Sequence, residues 1–188
     1  MMETGISDED LLTIQALRNY GVLEDTDSNH IPRNNGTLMV TCADADRIGD
    51  MIDHHRACCS SDGCHHRHHH LSLNGGSLLI PDGSPARRSP SSKEGEVLLQ
   101  HINDGCALKQ IHTIILYAHT PCGIARLRGI TLLDTLRIHV AAKDCVRACV
   151  QEGTTIVLFF HIDYGEKKRT YFFNRPRWTA YLGKNYRI

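Results

Sequence analysis

The sequence predicts an α/β fold: a mostly parallel central sheet of about four strands, a C-terminal antiparallel hairpin strand, helices on both faces and an N-terminal helical arm. Three observations lead there. Apolar runs rich in Val, Ile, Leu and Phe recur at residues 37–42, 71–73, 111–117 and 154–162, and 37–42 is apolar enough for burial on both faces. Stretches with apolar residues at helical spacing lie between the runs, and strands alternating with helices imply parallel strands joined by crossovers. Tyr164-Gly165-Glu166-Lys167 then makes a turn, and residues 169–173 return as an antiparallel partner. At 188 residues the chain suits one domain with a sizeable core. The expected division is an arm and linker at 1–36, and the domain with a C-terminal tail at 37–188.

Ser7-Asp8-Glu9-Asp10 supplies an N-cap and an acidic first turn. Leu11, Leu12, Ile14, Leu17 and Tyr20 then recur at helical spacing, and Gly21 offers a stop. Residues 22–36, with Pro32 and Asn34-Asn35-Gly36, read as loop. After the strand at 37–42 come the turn Ala43-Asp44-Ala45-Asp46-Arg47 and a short helix at 48–55. Segment 54–70 is rich in cysteine and histidine and runs into the strand at 71–73, closed by Asn74-Gly75-Gly76. The chain is then loop-like through Ser92. A helix at 93–103 puts Val97, Leu98 and Ile102 on one side, with Gly105 just past its end. The strand at 111–117 precedes a helix at 130–151 with the stripe Leu133, Leu136, Val140 and Val146. Cys145 and Cys149 lie one turn apart on it, and packing is a stronger reading for them than metal ligation. The basic residues Lys167-Lys168-Arg169, Arg175, Arg177, Lys184 and Arg187 read as a solvated hairpin and tail.

The formal charge is zero and no strongly basic block occurs, which disfavours nucleic acid as the main partner. No apolar run approaches a membrane span, and the N-terminus lacks a signal-peptide pattern, so a soluble, cytoplasmic protein is expected. In a reducing compartment, eight cysteines and thirteen histidines point to metal binding before disulfides.

The strand at 111–117 runs into His119-Thr120-Pro121-Cys122-Gly123, which offers an imidazole and a thiolate to one metal ion. Zinc accepts both donor types with little geometric preference. Two ligands do not hold a zinc, and the best third donor is Cys42, which ends the earlier run of the same kind. In open parallel sheets ligands collect at the carboxyl ends of strands, where strand order switches direction. Cys42, His119 and Cys122 therefore converge if their two strands are neighbours. Such a set leaves a fourth tetrahedral position free, the mark of a catalytic zinc, and a water bound there loses a proton near neutrality to give a hydroxide nucleophile. Asp44 stands within reach to orient that hydroxide or to bind zinc itself, and the Arg47 guanidinium is suited to hold the carboxylate away from the metal.

Cys42-Ala43-Asp44 and His119-Thr120-Pro121-Cys122-Gly123 resemble the β-class carbonic anhydrases, which carry Cys-x-Asp-x-Arg after their first strand and His-x-x-Cys-Gly after their third. Asn74-Gly75-Gly76-Ser77 resembles that family's Asn-Ala-Gly-Asn turn, residues 156–167 resemble its closing strand and turn, and the likeness covers most of residues 37–173. The resemblance implies reversible hydration of carbon dioxide to bicarbonate, with Zn2+ on Cys42, His119 and Cys122 and with Asp44 and Arg47 as the orienting dyad. It also implies a homodimer or higher homo-oligomer with the N-terminal helix packed on a partner. Three departures stand out. Ala45-Asp46 replaces a single residue, so Arg47 comes one position late, which in a helical turn rotates its side chain by roughly 100°. Leu73 stands where the family usually has arginine, and segment 54–70 is longer than the usual connection. The same chemistry would serve a hydrolase of carbon disulfide or carbonyl sulfide. A non-catalytic relative would instead keep zinc for the fold and use the Cys/His-rich loop to bind a metal or partner. That loop reads first as a polar segment entering an edge strand. Its other readings are a second zinc on Cys58, Cys59, Cys64 and a histidine, or a histidine proton relay. His101, His112, His139 and His161 read as packed or surface histidines.

Overall fold

Strands with apolar side chains on both faces need cover on both, and the computed structural model, which describes residues 5–26, 31, 36–59 and 67–186, meets that need. In chain order the elements are α1 (Asp8–Asn19), β1 (Leu23–Asp25), β2 (Thr37–Cys42), α2 (Ile48–Cys59), β3 (His68–Leu73), a 3-10 turn (Gly76–Leu79) and α3 (Glu94–Lys109). They continue with β4 (Thr113–Thr120), α4 (Gly123–Leu127), α5 (Leu132–Cys149), β5 (Thr155–Asp163), β6 (Lys168–Phe173) and α6 (Arg175–Asn185). The six strands form one sheet in the order β1-β6-β5-β4-β2-β3. The pairs β3–β2, β2–β4 and β4–β5 are parallel, and β5–β6 and β6–β1 antiparallel. This is the α/β sheet with a closing hairpin strand that the sequence predicts, widened by β1.

Alternation along each central strand splits the core in two. Ile114, Leu116 and Ala118 of β4, with Ile156, Leu158 and Phe160 of β5, join Leu98 and Ile102 of α3 and Leu136 and Val146 of α5. The intervening Ile115, Tyr117, Val157 and Phe159 pack with Met51 of α2 on the other face. The chain passes from β2 to β3 on one side and returns to β4 on the other side of β2. Strand order therefore reverses between β2 and β4, where α/β sheets place their ligands. Among the described residues no helix is long and apolar enough to cross a membrane.

Five local expectations change. Residues 23–25, expected in a loop, pair with β6 in the register Leu23↔Phe173; three residues carry no readable alternation, and only the waiting edge of β6 makes them a strand. Residues 27–30 and 32–35 of that loop lie outside the described residues. α3 runs through Gly105 to Lys109 because this glycine is an approach point rather than a stop. A Cβ there would lie 2.8 Å from Leu38 Cδ1, so α3 sits close on β2, and Gln110 in the left-handed region caps the helix instead. Val97 falls on the exposed side of α3, while Leu98 and Ile102 are buried. The expected tail is α6, capped by the Asn174 side chain on Arg177 N and docked by Trp178 and Tyr181, whose rings stack 6.1 Å apart. Cys145 is half-buried against the core and Cys149 exposed, so packing accounts for the first alone.

His101 and His112 are exposed, whereas His139 and His161 are packed inside. His139 has Nδ1 2.9 Å from Ser77 Oγ and Nε2 buried without a partner. Burial, with a smaller push from Lys143, lowers its pKa to about 3, against a weaker opposing effect of the Phe159 backbone. Above about pH 6.5 the ring is neutral in both folded and unfolded chains and contributes no pH dependence. Below that the unfolded chain takes up a proton that the folded one refuses, so stability falls as pH drops from about 6.5 towards 3. His54, lowered to about 4 chiefly by burial, adds to the same slope. Denaturant midpoints measured between neutral pH and about pH 4 should fall steadily. His139→Gln should flatten the slope, and an unchanged slope would remove this ring as a cause.

Candidate metal centre

Cys42 closes β2, His119 is the second-last residue of β4, and Cys122 lies just beyond it as the N-cap of α4. β2 and β4 are direct neighbours in the register Val40↔Leu116, so the two strand tips arrive side by side. The ligand atoms of Cys42, His119 and Cys122 all lie within 4.8 Å of one another, and all three residues are buried. The group could hold a metal ion. It is the convergence that the spacing of the two motifs predicts, with His119 inside the strand rather than past its end.

Local structure fixes the two sulfurs. Gly75 N–H donates to Cys42 Sγ at 3.1 Å, and Ala43 N–H donates to the Leu73 carbonyl at 3.0 Å. The turn Asn74-Gly75-Gly76-Ser77 is thereby laced onto the end of β2. Gly76, at φ +51°, packs so tightly there that a Cβ would meet Cys42 N and Thr41 C at 2.6 Å. The Thr120–Pro121 peptide bond, between the other two donors, is cis.

Both ring nitrogens of His119 are buried without a hydrogen-bond partner. A buried imidazole with neither nitrogen satisfied is costly, and a metal ion beside two sulfurs is the acceptor that removes the cost on one side. The thiols are poised in the same sense. Cys122 is drawn down to about 7, first by its hydrogen bond with Cys42 and then by the backbone N–H groups of Ala125 and Ile124, against burial and the Asp44 carboxylate. Cys42 is pushed up to about 12 by that same hydrogen bond and by burial. A bound cation would favour the thiolate form of both sulfurs and release their protons. The donor set fits a divalent ion that accepts sulfur and nitrogen.

Asp44 and Arg47 do not form the side-chain pair that the resemblance implies. Asp44 Oδ1 accepts Asp46 N–H at 3.0 Å, while Arg47 bridges Asp163 at 2.9 Å. The cause is the position of the guanidinium, one residue further round the first turn towards α2, where it faces the end of β5. Leu73 is partly exposed at the tip of β3. In the Cys/His-rich segment, Cys64, His65 and His66 lie outside the described residues. Cys58 Sγ sits 3.6 Å from His54 Nε2, and His54 Nδ1 lies 3.0 Å from the Tyr117 hydroxyl. Among the described residues the donors of this segment form no group of three like that of Cys42.

Sequence reasoning missed Asp163, although the signal was present: an acidic residue ends an otherwise apolar strand at the carboxyl edge where the site lies. Comparison with models of known protein families finds no match, nor does comparison with curated protein sequences.

Proposed function

We propose that this chain is a zinc-dependent carbonic anhydrase of the β type, interconverting carbon dioxide and bicarbonate. The observation that carries the reading is the meeting of Cys42, His119 and Cys122 at the switch point between β2 and β4. Zinc, when bound, supplies the Lewis acidity that makes water a nucleophile near neutral pH. The chain's own residues do the rest. Cys42, His119 and Cys122 would hold the ion through two thiolates and one imidazole. Gly75 N–H holds Cys42 in place, and the N–H groups of Ala125 and Ile124 hold Cys122. Asp44 Oδ1 accepts Asp46 N–H, and this carboxylate would serve to accept a hydrogen bond from the reacting water and orient it towards carbon dioxide. The free thiols of the described cysteines support a reducing, cytoplasmic setting.

One observation favours a second reading. The pairing of Arg47 with Asp163 instead of Asp44 suits a non-catalytic relative that keeps its metal for the fold. Stopped-flow carbon dioxide hydration by the zinc-loaded protein, at neutral and mildly alkaline pH, separates the two. Turnover is expected, and its absence from protein holding its zinc would favour the second reading. Asp44→Asn should keep the metal and lose turnover by about 100-fold or more. An unchanged rate in that variant would strip Asp44 of its role.

A further inference from the structure

The Arg47–Asp163 ion pair spans 2.9 Å with side chains 13% and 9% exposed. Charges so far from water need each other and further hydrogen bonds. Asp163 has both: Oδ2 takes the Arg47 Nη2, and Oδ1 accepts Gly165 N–H at 2.8 Å. On Arg47, Nη1 donates to the Asp46 carbonyl at 3.2 Å, but Nε is buried with no hydrogen-bond partner. Leaving a buried donor unmatched is costly. A guanidinium is rigid and planar, so anchoring two of its nitrogens fixes the direction of the third.

The placement is as telling as the bonding. Asp163 ends β5, and the residue before it, Ile162, pairs with Thr120, which lies between His119 and Cys122. Arg47 follows Cys42 by five residues and opens the turn into α2. Both therefore stand at the carboxyl edge of the sheet, beside the metal donors. The pair is neutral as a whole, so what it can offer a ligand there is one aimed N–H rather than a free charge.

Resting on the carbonic anhydrase reading, we infer that Asp163 is a positioning residue which clamps Arg47 so that its Nε–H binds a carbonate-type oxyanion at the metal centre. The late position of Arg47 thus moves the clamp from Asp44 to another strand and leaves Asp44 without a guanidinium partner.

Bicarbonate titrated into the cobalt(II)-substituted full-length protein, followed by its visible spectrum, reports affinity without turnover. Arg47→Lys keeps the charge but has no Nε–H, and should weaken bicarbonate by about ten-fold or more. The double variant Arg47→Gln/Asp163→Asn leaves neither charge buried alone and should weaken it equally. Asp163→Glu should recover much of what Asp163→Asn loses. All should keep the wild-type cobalt content, and KM for bicarbonate should rise more than kcat falls. Wild-type affinity in both Arg47→Lys and the double variant overturns the inference and leaves the carbonic anhydrase reading standing. A wild-type spectrum that ignores bicarbonate overturns both.

Discussion

His119→Ala and Cys42→Ser should each abolish tight metal binding and, with it, the proposed hydration of carbon dioxide. His119 lies 1% exposed, and its two ring nitrogens have no other partner. Removing it leaves Cys42 and Cys122, which hydrogen-bond to each other. Two sulfurs alone do not close a tetrahedral site. The wild-type protein should purify with a single ion per chain, and a chelator should lower its thermal midpoint. Binding at about 1,000 times Kd stabilises a fold by about 4 kcal/mol, and neither variant should show that gain on adding metal. Elemental analysis and melting curves with and without zinc check this. Equal metal content in wild type and His119→Ala would remove the centre described here.

Gly76→Ala should be strongly destabilising. Left-handed backbone costs a non-glycine residue about 1 kcal/mol, and overpacking typically adds about 1–3. The atoms in the way are the backbone of Thr41 and Cys42, so relief requires moving the strand tip that carries a donor. A loss of about 2–4 kcal/mol is expected, together with weakened metal affinity. Gly83→Ala is the control: its φ is +69°, but a Cβ there meets nothing within 4 Å, so it should cost only about 1 kcal/mol and spare the metal. Denaturant unfolding of both variants distinguishes the contact from the backbone preference. Equal losses would show that the close approach to Cys42 carries no weight.

The strands at the centre of the sheet were legible because their apolar runs are long and buried on both faces; β2 has the predicted bounds Thr37–Cys42. The three donors were legible as well, because sulfur and imidazole at two strand tips are chemically distinctive. Gly105 was misread because a glycine near a helix end looks the same in sequence whether it stops the helix or lets it touch a strand. The helix at 175–185 was missed although its cap Asn174 and its Trp178/Tyr181 spacing were in view, since the basic side chains around them suggested solvent.

The sequence by itself determined the α/β class, the central strands and the three residues that could hold a metal, for these depend on hydrophobic period and donor chemistry, which are local. Only the tertiary structure decided that Arg47 answers to Asp163, that residues 23–25 complete the sheet and that Gly76 presses on Cys42. Each of these is a contact between segments far apart in the chain, and a spacing along one dimension does not say which side chains become neighbours in three.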